Sequence, residues 1–132
     1  MRRLMAIALP LLLVVPAVAQ EQEGGSDETD VGTTDMGSGM ASYYGRELAG
    51  NRTASGEPFD PDEFTCAHRT LPFGSKLRVT NLATGKSVIV RVNDRGPWGR
   101  GRVIDISQAA AKEIGMHRTG TARVSIALLD DD

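Results

Sequence analysis

The sequence predicts a small, mainly β protein that folds as a single barrel with one or two short helices. The chain has 132 residues, which is enough for one domain. After residue 40, most apolar residues recur with the two-residue period of half-buried strands, and only one segment has the helical period. Because many short strands would expose their edges in an open sheet, a closed barrel is favoured.

The clearest strand pattern lies in two adjacent segments. Leu77 and Val79 alternate with polar residues within 76–81, and 87–93 is a run of β-branched residues. The turn between them contains Gly85, which supplies the positive φ that a tight hairpin needs. The two segments are therefore predicted to pair as an antiparallel hairpin.

Weaker patterns complete the predicted barrel. The further candidate strands are 41–44, 65–71, 103–106 and 122–129. Between the last two, Ser107 is a suitable N-cap for a helix over 108–114, and Gly115 is suited to its C-terminal cap.

The chain is predicted to divide into four parts. Residues 1–19, with two arginines, an apolar run and the triplet Ala-Val-Ala, read as a signal peptide. An acidic disordered spacer is expected at 20–39, a folded domain at 40–129 and an acidic tail at 130–132. The apolar run is too short to span a bilayer, so the mature chain is expected without stable membrane insertion. No cysteine lies near the predicted cleavage site to accept a lipid, so the location expected is the periplasm, the cell envelope or the medium.

Charge is distributed unevenly along the chain. Residues 20–39 hold six acids and no bases, whereas 40–129 hold 13 Lys and Arg residues against 8 Asp and Glu residues. A basic domain that is exported meets anionic polymers of the envelope rather than nucleic acid, so no nucleic-acid partner is expected. An ordinary solvated surface is the alternative interpretation.

The single cysteine, Cys66, excludes an internal disulfide. Two positions later, His68 would share its face on a strand, which allows a thiol with its base or a pair of metal ligands. Neither arrangement has the further groups that such sites need, so neither is favoured. The mature chain is expected to be a monomer, with dimerisation through Cys66 as the alternative.

Three carboxylates lie in or near Gly- and Pro-containing segments between strands, where sites usually occur. They are Glu57, Asp94 and Asp105. Cleavage of a glycosidic bond needs a proton donor and often a second carboxylate, which these residues would supply. Tyr43, Tyr44 and Trp98 are suited to stacking on sugar rings, although small-core packing is an equal alternative for them.

Seven segments, taken in order, resemble the rare lipoprotein A family of septal-ring lytic transglycosylases. They are ASYYG at 41–45, TASGE at 53–57, AHRTLPFG at 67–74, LRVTNL at 77–82, VRVNDRGP at 90–97, RVIDIS at 102–107 and GTARV at 120–124. The resemblance implies a six-stranded double-psi β-barrel that binds the glycan strands of peptidoglycan in a surface cleft.

The resemblance also implies the roles of individual residues. Asp94 and Glu57 correspond to the essential acids, His68 to a supporting histidine, and Asp105 to a further acid. The expected substrate contacts are Tyr44, Thr53, Ser55, Asn93, Arg95 and Trp98. Neither a metal nor a cofactor is expected. Asp94 is the first candidate for proton donor, although an Arg95 guanidinium turned towards it would oppose that role.

The implied reaction cleaves between N-acetylmuramic acid (MurNAc) and N-acetylglucosamine (GlcNAc) without water as nucleophile and leaves 1,6-anhydroMurNAc ends. A carboxylate acts first as general acid and then as general base. Three alternatives stay open from the residues. They are a non-catalytic, expansin-like glycan-binding barrel, a glycosidase that uses water, and a Cys–His peptidase in which Cys66 is the nucleophile.

Overall fold

The computed structural model describes residues 32–130, and six strands and one α-helix form its core. The strands are β1 (Thr33–Tyr43), β2 (Thr65–Ala67), β3 (Lys76–Asn81), β4 (Ser87–Asp94), β5 (Arg102–Ile106) and β6 (Thr121–Leu129). The helix α1 spans Gln108–Glu113, and a 3₁₀ helix spans Arg46–Leu48. Within residues 32–130, no helix has the length and apolar character needed to cross a bilayer.

The six strands close into a barrel in the order β1-β5-β2-β4-β3-β6, with β6 returning to β1. The pairs β1–β5 and β2–β4 are parallel, and the other pairs are antiparallel. The closed, mainly β barrel with short helices is therefore confirmed. Because β2 is parallel to β4 and antiparallel to β5, the segments that follow β2 and β4 lie at the same end of the barrel as the segment that precedes β5. The hydrogen bond from His68 N to the carbonyl of Asp94 joins the first two of these segments.

Alternating side chains of β3 and β4 fill the barrel interior, as predicted. The fully buried aliphatic residues of the interior are Leu77, Val79, Val92, Ile104, Ile106 and Val124. The hairpin between β3 and β4 turns at Gly85, whose φ is +77°. Burial of this continuous cluster is the main source of stability for a chain whose only cysteine is unpaired.

Helix α1 covers one opening of the barrel and begins where the sequence predicts. The Ser107 hydroxyl accepts a hydrogen bond from Ala110 N, as an N-cap residue does. Ala110 and Ala111 are buried, and Ile114, which the prediction includes in the helix, is its C-cap residue.

The first strand is longer than expected. Residues 33–39, expected to belong to the disordered spacer, form the first part of β1 and pair with the end of β6, with Thr33 opposite Leu129. The acidic, glycine-containing composition of this segment predicts disorder, but hydrogen bonds to β6 satisfy its backbone groups and order it. The first strand, predicted over 41–44, thus runs from Thr33 to Tyr43, while the signal peptide and residues 20–31 of the spacer lie outside the described residues.

The strand predicted at 65–71 is shorter than expected and ends at Ala67. The side chain of His68 accepts hydrogen bonds from the backbone N–H groups of Thr70 and Leu71, both at 3.2 Å. These bonds stabilise a turn in place of a further ladder, as side chain-to-backbone bonds commonly do.

Candidate active site

The carboxylate of Asp94 stands at the end of β4 and accepts three hydrogen bonds. The Tyr44 hydroxyl donates to Oδ2 at 2.8 Å, and the backbone N–H groups of Ala54 and Arg95 donate to Oδ1, each at 2.9 Å. The donors come from three parts of the chain, which the barrel brings to one place. Both oxygens of Asp94 are therefore oriented before any ligand binds.

Asp94 lines a hollow of about 190 Å³ at the end of the barrel. The lining residues are Tyr44, Leu48, Asn51, Arg52, Thr53, Phe59 and Asp94. The Tyr44 ring meets the Phe59 ring edge to face, with 4.9 Å between centroids. Burial, and then the hydrogen bond to Asp94, raises the pKa of Tyr44 well above its ordinary value, so its hydroxyl remains a donor at neutral pH.

The loop 53–57 forms one wall of this site and is held to β4. Ser55 N donates to the carbonyl of Asn93 at 3.2 Å, and the Thr53 hydroxyl donates to the carbonyl of Glu57 at 2.7 Å. Gly56 has a φ of +96°, a conformation that other residues rarely adopt. This compact turn directs the N–H of Ala54 at Asp94.

Glu57 is held as an anion by Arg91. The guanidinium of Arg91 donates to both carboxylate oxygens, at 2.8 and 3.0 Å. These hydrogen bonds lower the pKa of Glu57 to about 2 against a weaker opposing effect of burial. A carboxyl group that is ionised so strongly is unsuited to donate a proton near neutral pH.

His68 meets Asp94 through its backbone, since His68 N donates to the carbonyl of Asp94 at 3.1 Å. Its Nδ1 accepts from two backbone N–H groups, which places the proton of the neutral ring on Nε2. Burial, followed by the charges of Arg95 and Arg69, lowers the pKa of His68, so the ring is neutral at neutral pH. The ring lines a second hollow, of about 220 Å³, rather than the one beside Asp94.

The guanidinium of Arg95 does not turn towards the Asp94 carboxylate. It donates to the carbonyl oxygens of His68 and Leu71, at 3.0 and 2.8 Å, and lies 4.1 Å from the centroid of the Phe73 ring. Arg95 therefore fixes the 68–73 segment, and only its backbone N–H contacts the carboxylate of Asp94.

Asp105 lies in the barrel wall and has its own partners. The Ser42 hydroxyl and Arg102 Nη1 both donate to its Oδ1, the latter at 3.0 Å. Its side chain is only 14% exposed, and it does not line the hollow beside Asp94. The structure thus places Asp105 in an ion pair within β5, with a further hydrogen bond from Ser42 on the neighbouring β1. In the strand register Asp105 and Asp94 lie on opposite sides of Ala67.

The remaining predicted site residues fall into three environments. Thr53 and Ser55 are hydrogen-bonded to each other in the loop, and Asn93 is buried beneath that loop. Trp98 is 72% exposed. Cys66 is fully buried, and burial raises the pKa of its thiol, so it does not share an accessible face with His68. Within residues 32–130, no cluster of three His, Cys, Asp or Glu side chains suits a metal ion.

Several residues that build this site were not predicted from the sequence, among them Leu48, Asn51 and Arg52 of the lining. Arg91 holds Glu57, and Phe59 supports the ring of Tyr44. No local signal distinguishes Arg91, because Arg78 lies between buried aliphatic residues of β3 in the same way and forms no ion pair among the described residues. Phe59 has no such signal, since its contact depends on how the 46–63 segment folds back on the barrel.

The sequence profile of the lytic transglycolase family matches residues 36–126, which include every residue of the candidate site. The chain belongs to the lytic transglycolase family. A curated relative in Synechocystis, named as a probable endolytic peptidoglycan transglycosylase RlpA, is 44% identical over 126 residues, covering 96% of this chain and 39% of the relative. Endolytic peptidoglycan transglycosylase RlpA of Pseudomonas aeruginosa is 58% identical over 92 residues, covering 70% and 27%. The chain thus spans well under half the length of these relatives.

Solved structures support the fold expected for this family member. The expansin of Clavibacter michiganensis superposes with a TM-score of 0.59 and 23% identity, over 76% of this chain and 52% of that one. The Streptomyces papain inhibitor superposes with a TM-score of 0.57 and 23% identity, over 74% and 96%. Both are double-psi β-barrel proteins, so the predicted double-psi barrel is confirmed.

Proposed function

We propose that this member of the lytic transglycolase family cleaves peptidoglycan endolytically between MurNAc and GlcNAc and leaves 1,6-anhydroMurNAc ends. The observation that carries the proposal is the carboxylate of Asp94, which lies at the edge of a hollow and is oriented by Tyr44, Ala54 and Arg95. Relatives with 44% and 58% identity that are named as endolytic peptidoglycan transglycosylases support the same reaction.

The hydrogen bonds to Asp94 favour one oxygen as the site of proton transfer. Oδ1 accepts from two backbone N–H groups, whereas Oδ2 accepts only from the hydroxyl of Tyr44. A carboxyl oxygen has two lone pairs, so Oδ2 retains one that can carry a proton. In this proposal the protonated Oδ2 donates to the glycosidic oxygen as the bond from that oxygen to C1 of MurNAc breaks.

The second step returns the proton to the same group. The C6 hydroxyl of MurNAc attacks C1, a new C6-oxygen-to-C1 bond closes the anhydro ring, and Asp94 Oδ2 accepts the hydroxyl proton. One carboxylate therefore serves as acid and then as base, with no net change in its protonation. Positive charge that develops at C1 is stabilised by the Asp94 carboxylate itself, which is negative once its proton has been transferred.

Glu57 and His68 support Asp94 in this scheme as positioning residues. The ion pair of Glu57 with Arg91 holds the loop that supplies the Ala54 N–H, and His68 N holds the carbonyl of Asp94. Among the predicted substrate contacts, Tyr44, Thr53 and the exposed Trp98 are proposed to meet sugar, with Ser55 at the loop tip. Asn93 and Arg95 are proposed to act indirectly, because Asn93 is buried and the Arg95 guanidinium is bound to carbonyl oxygens.

We also propose that the protein acts outside the cytoplasm, in the periplasm or cell envelope, as a monomer on glycan strands. The names of its relatives, which specify peptidoglycan, support this location. The net positive charge of residues 40–129 suits a polymer that carries carboxylates.

Mass spectrometry of digested peptidoglycan tests the proposed function. The purified chain, its Asp94→Asn variant and a matched Asp60→Asn variant are incubated with intact sacculi and with sacculi stripped of stem peptides. Asp60 is an exposed loop residue whose turn-forming oxygen is retained in asparagine. We expect anhydroMurNAc ends from the wild type and from Asp60→Asn, and a loss of at least about 100-fold in Asp94→Asn.

Two results would replace this function with another. Reducing ends in place of anhydro ends would indicate a glycosidase that uses water. Binding to sacculi without any new chain ends would indicate a non-catalytic glycan-binding barrel.

A further inference from the structure

A second hollow has a volume of about 220 Å³. Its lining residues are Met36, His68, Arg69, Thr70, Val103 and Ile126. Its lining shares no residue with that of the first hollow, but the backbones of His68 in the second and Asp94 in the first are joined by a hydrogen bond from His68 N to the Asp94 carbonyl. This hollow is therefore a candidate for a subsite of the polymer that is cleaved at Asp94.

The hollow offers one neutral hydrogen-bond donor of fixed orientation. Both bonds to His68 Nδ1 come from backbone N–H groups of the turn, so the ring cannot flip without losing them. The N–H at Nε2 engages no group among the described residues. A donor on a ring that is held in this way is available to a ligand, and a neutral ring suits an uncharged acceptor such as an amide carbonyl.

The cation at this hollow is partly engaged. Arg69 Nε and Nη2 donate to the carbonyl oxygens of Pro97, Gly99 and Arg102, at 2.6, 3.2 and 3.1 Å. The polar groups left for a ligand among the described residues are Arg69 Nη1, His68 Nε2 and the hydroxyl of Thr70. Of these, His68 Nε2 is the neutral donor whose direction is fixed.

The opposite part of the lining is apolar. Met36, Val103 and Ile126 supply it, and Met36 is 39% exposed although it is a large apolar side chain. An exposed apolar side chain beside a fixed polar donor matches a ligand group with a methyl on one side and a polar atom on the other. The volume, about 220 Å³, is below the range of about 300–1,000 Å³ that houses whole small ligands, so it suits one substituent or one ring of a polymer.

We propose that this hollow binds the 2-acetamido group of a sugar on the strand that is cleaved at Asp94. In this arrangement the acetyl methyl contacts Met36 and Val103, the acetyl oxygen accepts from His68 Nε2, and the amide N–H donates to the Thr70 hydroxyl. The inference rests on the proposed function for the identity of the polymer, and it names the chemical group by which the polymer is selected.

Binding of two tetrasaccharides to the Asp94→Asn chain tests the inference without requiring cleavage. Chitotetraose carries an acetamido group on every ring, and cellotetraose has the same linkage and length but lacks these groups. We expect chitotetraose to bind about tenfold more tightly, because a donor left unpaired at the hollow costs affinity. In methyl NMR spectra it should shift the signals of Met36, Val103 and Ile126.

Two variants identify the hollow as the origin of that preference. Met36→Ala removes the apolar wall, and Thr70→Val removes the hydroxyl while keeping the backbone N–H that holds His68. Each should lower the affinity for chitotetraose about threefold or more and leave the affinity for cellotetraose unchanged. Leu82→Ala, at an exposed apolar position on the β3–β4 turn, and Thr80→Val, on β3, are the matched controls and should change neither affinity.

Failure of this inference is separable from failure of the proposed function. Equal affinities for the two tetrasaccharides, no binding of chitotetraose, or shifts that avoid Met36 and Val103 would overturn the acetamido site, even if anhydro ends are formed. Selective binding at the hollow by a chain that forms no anhydro ends would retain the site and overturn the catalytic function.

Discussion

Arg91 and Glu57 form a bidentate ion pair. Arg91 Nη1 donates to Glu57 Oε2 at 2.8 Å, and Arg91 Nη2 donates to Glu57 Oε1 at 3.0 Å. The pair joins the outward face of β4 to the loop 53–57. That loop carries the N–H of Ala54, which is one of the three donors to Asp94. The position of the proposed acid therefore depends on a contact between two residues that do not line its hollow.

The Glu57–Arg91 pair predicts a specific dependence of stability on pH. The pKa of Glu57 falls from its ordinary value of 4.5 to about 2 in the folded state, so the stabilisation is present above about pH 4.5 and is lost as the pH falls through about 2. Since both side chains are about one-third exposed, at 35% and 37%, screening limits the effect to about 0.5–1 kcal/mol.

Urea unfolding at pH 7 and pH 2 measures this contribution. Glu57→Gln should be less stable than the wild type by about 0.5–1 kcal/mol at pH 7, and the difference should nearly vanish at pH 2. Glu113→Gln, at an exposed position of α1, is the control and should show no such change. A difference that stays constant between the two pH values would contradict the assigned role of the ion pair.

Tyr44→Phe should slow cleavage without unfolding the protein. The change removes the donor to Asp94 Oδ2 but keeps the ring that meets Phe59. A hydrogen bond to a charged group contributes about 1.5–3 kcal/mol, so we expect kcat for release of anhydro ends to fall about tenfold or more, with KM little changed.

Tyr43→Phe is the matched control for Tyr44→Phe. The Tyr43 hydroxyl donates to the carbonyl of His117, away from Asp94, at 2.7 Å. Its removal should leave kcat unchanged. Equal kcat values for the two variants would show that the Tyr44 hydroxyl does not assist Asp94.

Asp105→Asn should affect stability rather than chemistry. Asp105 is mostly buried and accepts hydrogen bonds from Ser42 and Arg102, so loss of its charge leaves Arg102 without its anion. We expect a loss of about 1–3 kcal/mol in the free energy of unfolding, measured with urea, while anhydro ends are still formed. Loss of those ends in a stably folded Asp105→Asn chain would instead make Asp105 the proton donor.

Cys66 is expected to be chemically inert in the folded protein. It is fully buried, and burial raises the pKa of its thiol, so little thiolate is available to react. A thiol reagent should label the chain in urea but not in buffer, and Cys66→Ala should keep its cleavage activity at a cost of about 1 kcal/mol in stability. Rapid labelling of the native chain together with inactive Cys66→Ala would support the peptidase alternative.

Local sequence patterns predicted the strands that have one face on the core and the other towards solvent. The boundaries of β3 agree with the prediction, and β4 extends one residue further, to Asp94. One face of each strand lies on the core, so alternation alone reveals it. The first part of β1 was missed, because an acidic segment with glycines becomes a strand only when β6 supplies partners for its backbone. Met36, which lies in that segment, consequently joined no predicted site.

The candidate site was predicted in part. The resemblance of ordered segments identified Asp94, Glu57 and His68, and the structure brings these residues to one end of the barrel. The resemblance could not distinguish the environments of these three residues. In the structure Asp94 lines one hollow, Glu57 pairs with Arg91, and His68 lines a second hollow. These differences depend largely on contacts between residues far apart in the chain, such as Tyr44 with Asp94 and Arg91 with Glu57.

The sequence by itself determined the mainly β barrel, the strand pairing of 76–81 with 87–93, the helix after Ser107 and the set of acids available for catalysis. Periodicity, capping and residue type are local properties, so they can be read without coordinates. Only the tertiary structure decided the surroundings of each acid, since it places Asp94 at a hollow and pairs Glu57 with Arg91. The ionisation of a carboxyl group depends on the charges, donors and burial around it, and closure of the barrel assembles those surroundings from distant parts of the chain.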